Sequence, residues 1–232
     1  GSDLAVLVDP GPDDPGHLTA LVAAADDLGA RIALILLTHG HADHSAGARS
    51  LHDLTGAPVR ALDPAHRLGD EGLADADVVS VGGLEVSVVA TPGHTSDSLT
   101  FLLPAEGALL TGDTVLGRGS AVIAHPDGHL GAYMTSLARL AELAGRTGAR
   151  WVLPGHGPAN PDPAGLLTDY VEHRRERLAL VSAAMAAGTT DIDDLLAVVY
   201  PEVPPALLWA ARLSLAAQVE YLTDRAPGLT AH

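Results

Sequence analysis

The chain has no cysteine in its 232 residues, which excludes disulfides, thiolate metal ligands and a cysteine nucleophile. Lysine is absent too. All 13 basic side chains are arginine, and with the many Ala, Gly and Pro this reads as codon usage of a GC-rich source rather than as function. No apolar stretch approaches the roughly 20 residues of a membrane-spanning helix, and no signal peptide is visible, so a cytoplasmic protein with no membrane partner is expected. Positive charge is scarce: the formal net charge is −16, which repels polyanions over most of the surface. What the chain does have is apolar mass. A hydrophobic content of 47% and a positive mean hydropathy suit one sizeable packed core with a small appendage.

The most informative segment is Thr38-His39-Gly40-His41-Ala42-Asp43-His44. It follows the apolar run Ile32 to Leu37, which reads as a buried strand entering a loop. On extended backbone His39 and His41 alternate, so both side chains project to one side and can converge on a metal ion. Asp43 and His44 follow as the chain turns into a helix, a few ångströms away, where a second ion would fit. Imidazole and carboxylate suit zinc, iron or manganese, with zinc the default. The bland alternative is a solvated His-rich loop with Asp43 as a helix N-cap.

Three further positions each follow an apolar segment and sit in a glycine-containing turn. They are His94 in Thr91-Pro92-Gly93-His94, Asp113 in Thr111-Gly112-Asp113-Thr114, and His156 in Pro154-Gly155-His156-Gly157. Glycine lets backbone approach a crowded centre. Singly each has an ordinary explanation as a turn or a hydrogen-bonded loop histidine. Together they describe four strand-end loops delivering His and Asp to one edge of stacked sheets.

This order of motifs resembles the metallo-β-lactamase superfamily through about the first three quarters of the chain. The resemblance implies that His39, His41 and His94 bind one metal, that Asp43, His44 and His156 bind a second, and that Asp113 bridges them. It implies two zinc ions per chain, with iron or manganese as the other metals. Leu4 to Val8 and Asp9-Pro10-Gly11 resemble the family's strand followed by Asp-x-Gly. The family places further strands before that element. An N-terminal segment ahead of Gly1 is therefore expected, with Gly1-Ser2 a native turn or a cloning scar.

The predicted order of elements fits a four-layer αββα sandwich. Asp14-Pro15 starts a helix with Leu18, Leu21, Val22, Ala25 and Leu28 on one face. Strand signals recur at Pro58–Leu62, Val78–Val81, Leu84–Ala90, Ser98–Leu103, Ala108–Thr111 and Trp151–Leu153, with a Gly82-Gly83 hairpin. Helical periodicity returns at Met134, Leu137, Leu140, Ala141 and Ala144. Gly117 to Gly131 reads as a loop over the site, with His125 and His129 as surface residues. The sequence divides into a metal-binding domain, residues 1–162, and a C-terminal helical subdomain, residues 163–232. Helices are expected from Pro163 to Ala187, from a cap at Thr189-Thr190-Asp191 to Tyr200, and from Leu207 to Leu222. That tail resembles the winged-helix-like one of the branch containing the lactamase-like mitochondrial endoribonuclease. Its run Glu172 to Arg177 suits an ordinary solvated helix face.

The implied mechanism is attack by a hydroxide held between two cations, with Asp43 orienting or deprotonating the water. Ser45 and Thr95 are weak candidates for supporting the ligands. Zinc β-lactamases carry Ser or Cys where Asp113 falls, which disfavours β-lactams. Glyoxalase II enzymes share the bridging Asp, but their basic C-terminal pattern is not evident here. The expected partner is therefore a small-molecule ester or thioester. Cleavage of single-stranded RNA ranks second, since nucleic acid needs a cationic track that only Arg174, Arg175 and Arg177 could provide. A mononuclear-iron oxygenase or a metal-binding regulatory protein is the third reading. Oligomeric state is not legible.

Overall fold

A computed structural model describes residues 3–225. Strand β1 (Leu4–Val8) lies parallel to β2 (Arg31–Leu36), which lies parallel to β3 (Val59–Arg60), forming a three-stranded sheet. The second sheet has the order β4 (Val78–Val81), β5 (Leu84–Ala90), β6 (Leu99–Leu103), β7 (Ala108–Gly112), β8 (Trp151–Pro154). Its pairs are antiparallel except β7–β8. The sequence limits for β4 and β5 coincide with the structure, and Gly82-Gly83 does turn the hairpin between them.

Side-chain alternation explains the layers. Strand β2 is buried on both faces and is therefore a continuous apolar run rather than an alternating one. Leu34 and Leu36 meet Val86, Val88, Leu99 and Phe101 from the other sheet. Ile35, with Leu37 just beyond the strand, faces α1 (Pro15–Asp27) and α3 (Ala48–Thr55) instead, packing with Leu18 and Leu51. On the far side of the second sheet, Val89, Leu102 and Leu109 pack against Tyr133, Leu137 and Leu140 of α4 (Leu130–Thr147). The result is an αββα sandwich whose strand ends converge at one edge. A four-residue helix, α2 (Ala42–Ser45), carries Asp43 and His44 at that edge.

Helix α5 (Pro163–Ala186) starts at an Asp162 cap and belongs to two cores. Its first half, through Leu167 and Tyr170, joins the core around α4. Val181 in its second half packs with Leu195 and Val199 of α6 (Ile192–Val199) and Leu215 of α7 (Leu208–Arg225). No strand follows Pro154 among the described residues, so the regular elements of the tail are all helices over its described length. No described helix is long and apolar enough to cross a membrane.

Two expectations need correcting. Leu28 does not join the buried face of α1; it is 84% exposed, because the helix stops at Asp27 and Leu28 is its C-cap. Arg174 is not on a solvated face. It is 4% exposed, with its guanidinium 5.0 Å from the centre of the Tyr133 ring. Gly1, Ser2 and residues 226–232 lie outside the described residues, and with them the expectation for Gly1-Ser2 and the end of the tail.

Candidate metal centre

The loops after β2, β5, β7 and β8 bring all seven singled-out side chains together. Nε2 of His39 and Nε2 of His94 lie 3.1 and 3.0 Å from Nδ1 of His41. Nearby, Nε2 of His44 and Nε2 of His156 are 3.3 Å apart, and Oδ2 of Asp43 is 3.1 Å from the His156 nitrogen. Asp113 stands between the two groups, with Oδ1 3.4 Å from His44 and Oδ2 3.8 and 3.6 Å from His94 and His156. Three overlapping sets could each hold an ion: His39, His41 and His94; His39, His44 and Asp113; Asp43, His44 and His156.

Hydrogen bonding behind the cluster fixes which atoms point inward. The Thr38 hydroxyl donates to Asp9 Oδ2 at 2.6 Å, so its oxygen is left to accept from Nδ1 of His39, 3.0 Å away. Nδ1 of His44 donates to the same Asp9 oxygen at 2.8 Å. Nδ1 of His94 donates to the Val122 carbonyl at 2.7 Å. Each of these three rings thus spends its Nδ1 proton outward and turns Nε2 into the cluster. Asp9 secures two of them, directly and through Thr38.

Does the cluster fit a metal? Neutral imidazole nitrogens facing one another this closely repel unless something positive lies between them. Donor atoms bonded at about 2.0–2.1 Å in a tetrahedron stand roughly 3.3–3.4 Å apart, close to the spacings seen. Asp113 Oδ1 is buried and accepts no hydrogen bond, an arrangement that a cation would satisfy. The residues present therefore fit the ion that the chemistry of the donor set implies.

The proton affinities point the same way. Burial, reinforced by His44 and His94, pushes His39 down to about 2, keeping its ring neutral. Burial also lowers His94. For His44 burial acts in the same sense, but the Asp113 and Asp9 carboxylates outweigh it and raise the ring to about 10. Burial would raise Asp113, and the histidines around it, His44 foremost, hold it below the usual carboxylate range instead. The carboxylates favour positive charge in this place, on a ring or on a bound cation.

Several supporting groups were not singled out in the sequence. Asp9 adopts a φ of +52°, an uncommon conformation for any residue but glycine and one of the few that Asp tolerates. Its only sequence signal was its place in Asp9-Pro10-Gly11. Val122 acts through backbone and leaves no signal at all. The His66 ring occupies the space where a side chain on Gly40 would lie, 2.4 Å from an added Cβ. Of the weaker candidates, Ser45 donates to the Gly40 carbonyl and Thr95 pairs with Ser98, so each holds its own loop rather than a cluster ring. His129 caps α4 and His125 pairs with Glu220, as surface roles require.

Gly155 yields a prediction. A methyl group there would lie 2.5 Å from Cε1 of His44 and 2.8 Å from Oδ1 of Asp113. Gly155→Ala should displace both side chains while leaving the strands intact. Metal affinity is expected to fall about 10- to 100-fold, the usual effect of disturbing ligand orientation. Titration against a competing chelator, with circular dichroism as the folding control, checks it. Unchanged affinity would show that the two side chains have room to spare.

Comparison with known proteins places the chain in a family. A "Lactamase-like protein" from Aspergillus niger is 36% identical over 183 residues, 78% of this chain and 55% of its own length. The chain thus spans about half of that relative. A "Beta-lactamase-like protein 2 homolog" from Caenorhabditis elegans is 32% identical over 221 residues, 90% of this chain and 70% of the relative. Among solved structures, a metallo-beta-lactamase family protein from Thermus thermophilus superposes with a TM-score of 0.75 at 23% identity, covering 94% of this chain and 84% of the other. One protein solved in a di-iron-bound form matches at 29% identity and a TM-score of 0.56, over 71% of this chain and 87% of its own. The family model for the metallo-beta-lactamase superfamily matches residues 1–156, from the first strand to the last histidine of the cluster, and the chain belongs to that superfamily.

Proposed function

We propose that the protein is a binuclear metal-dependent hydrolase acting on a small ester or thioester. The observation that carries this reading is the shared carboxylate. Asp113 faces both the His39, His41, His94 group and the Asp43, His44, His156 group, and its buried Oδ1 has no hydrogen-bond donor. His39, His41 and His94 would hold one ion, Asp43, His44 and His156 the other, and Asp113 both. Zinc suits this N/O donor set best, and iron or manganese would also be accepted; the di-iron neighbour is a relative that holds iron.

Two divalent ions bound there would supply a hydroxide at neutral pH and stabilise the oxyanion that its attack creates. The chain's own groups do the rest. Asp43 and His156 are the open side of the cluster, with side chains 59% and 50% exposed, so substrate would arrive over them. The Asp43 carboxylate, on that open side, orients the attacking water and takes its proton. His39 and His44 stay in register through Asp9, and His94 through Val122. No side chain has to form an acyl intermediate, consistent with the absence of cysteine.

Charge favours a small substrate over RNA. Of the three arginines that the sequence offers for a cationic track, Arg174 is buried and donates to the Ala121 carbonyl. Arg177 donates to the Val199 carbonyl and lies over the Tyr200 ring. Only Arg175 among them is exposed and unclaimed by the bonds described. A panel of acyl thioesters, aryl esters and single-stranded RNA, run over a range of salt with metal-loaded protein, tests the reading. Ester or thioester hydrolysis with little salt dependence is expected, and little RNA cleavage at moderate salt. RNA affinity, where phosphates are bound, falls steeply with salt, by a log–log slope of about −0.7 per phosphate contact. Metal-dependent RNA cleavage without esterase or thioesterase activity would overturn the proposal, and one iron per chain with oxygen-dependent turnover would replace it with an oxygenase.

A further inference from the structure

Arg174 is a costly residue to bury. Its guanidinium is enclosed, its Nε has no hydrogen-bond partner, and no carboxylate pairs with it among the ion pairs of the described residues. An apolar side chain of the same volume would often be no worse for stability in such a place, so the contacts the guanidinium makes are where a role is to be sought. Its guanidinium donates to the carbonyl of Ala121. The next carbonyl along the chain, that of Val122, is the acceptor that orients His94.

The same neighbourhood ties α5 to the first half of the loop between Asp113 and α4. Tyr170, one turn before Arg174 on α5, has its hydroxyl 2.8 Å from the Leu116 amide, which donates to it, and donates in turn to the Gly119 carbonyl at 3.0 Å. Tyr133, beneath the guanidinium, donates to the carbonyl of Thr114, the residue after Asp113, at 2.7 Å. The Tyr133 backbone also presses on Gly93, where a Cβ would come within 2.3 Å of Tyr133 Cα. Gly93 has a φ of +142° and immediately precedes His94, so the loop and the histidine are packed against one surface.

We propose that Arg174 is a positioning residue for the metal centre: by holding the Ala121–Val122 backbone against Tyr133, it fixes the ring of His94 for its ligand role. The tail is then part of the centre's construction and not an attached module. A guanidinium meets the Tyr133 ring face and the Ala121 carbonyl at once, whereas an ammonium is a compact, strongly hydrated point charge that replaces these contacts only in part. The inference uses the metal-holding role of His94 but is independent of which substrate is hydrolysed.

The test reads His94 directly. In metal-free protein, proton NMR should show its Nδ1–H as a low-field signal in slow exchange with water, because that proton is donated to Val122. In Arg174→Met this signal is expected to exchange at least about tenfold faster, and in metal titrations the ion held by His39, His41 and His94 should bind about 10- to 100-fold more weakly. Arg174→Lys should recover part of both. Tyr170→Phe keeps the ring and removes only the bonds to Leu116 and Gly119, so it should speed the exchange less. Leu215→Ala loosens the tail's own core without touching the loop, and should lower thermal stability while leaving the His94 signal in place. Wild-type exchange and affinity in folded Arg174→Met would overturn the proposal. So would a loss of signal in Leu215→Ala equal to that in Arg174→Met, since the effect would then be general loosening. Should Arg174→Met fail to fold, Tyr170→Phe decides, and an unchanged His94 signal there counts against it. None of these readouts depends on turnover, so failure of the hydrolase reading would leave them interpretable.

Discussion

Replacing Asp113 with alanine is expected to strip the centre of metal at both positions, whereas His39→Ala should chiefly empty one. The difference follows from geometry. Asp113 presents one oxygen towards His44 and the other towards His94 and His156, so a single side chain serves both groups. Elemental analysis after dialysis should find close to two ions per chain in the wild type and well under one in Asp113→Ala. Stability gives a second reading. An ion present at about a hundred times its dissociation constant stabilises the folded state by about 2.7 kcal/mol. For a chain of this size, that corresponds to roughly 5–10 °C in melting temperature per site. Added zinc should therefore raise the melting temperature of the wild type by several degrees and that of Asp113→Ala hardly at all. A wild-type protein that holds no metal and takes none up would remove the basis for the whole functional proposal.

The positions of these groups were legible in the sequence because chemistry and backbone punctuation coincide in them. Each loop that delivers a His or Asp follows an apolar strand and contains glycine, and the structure does bring the seven side chains together at one sheet edge. Strands β4 and β5 were legible to the residue because valines alternate with Ser80, Glu85 and Ser87 around a glycine pair. The hydrogen-bonded support behind the site was less so. Val122 contributes a carbonyl, which every residue has, and Asp9 is orienting only because the fold returns β1 to the side of β2, 35 positions from His44. Arg174 was misjudged for a more general reason. In Glu172-His173-Arg174-Arg175-Glu176-Arg177 every side chain is polar or charged, so periodicity cannot tell which one turns inward. Only the packing of α5 on α4, with the Tyr133 ring waiting beneath, selects Arg174 for burial.

That selection bears on how the centre is made. Of the groups fixing the rings, Asp9 and Thr38 lie just beyond β1 and β2 of the first sheet, while Val122 belongs to a loop clamped by α4 and α5. The two halves of the sandwich therefore each supply a rigid anchor for the cluster, and the tail stiffens the second. A site built between two such anchors holds its ligand atoms in place from both sides, as a preorganised metal centre requires.

The second large effect is expected at Asp43. Asparagine has the same size and keeps an oxygen that can approach an ion, but it lacks the charge and cannot take up a proton. Asp43 is also the most exposed of the cluster's carboxylates, with 59% of its side chain accessible against 12% for Asp113. It can therefore meet water and substrate, whereas Asp113 is enclosed. Asp43→Asn should consequently lower turnover on the preferred ester or thioester by about two to four orders of magnitude, the usual range for general-base help. Weaker binding of the ion held with His44 and His156 would add to that loss. The two contributions separate experimentally. Assays at saturating metal restore the ion and leave the deficit in proton transfer, which should persist in kcat with little change in KM. Loss of activity that excess metal fully repairs would confine Asp43 to ligation, and near-normal turnover without added metal would remove it from the mechanism altogether.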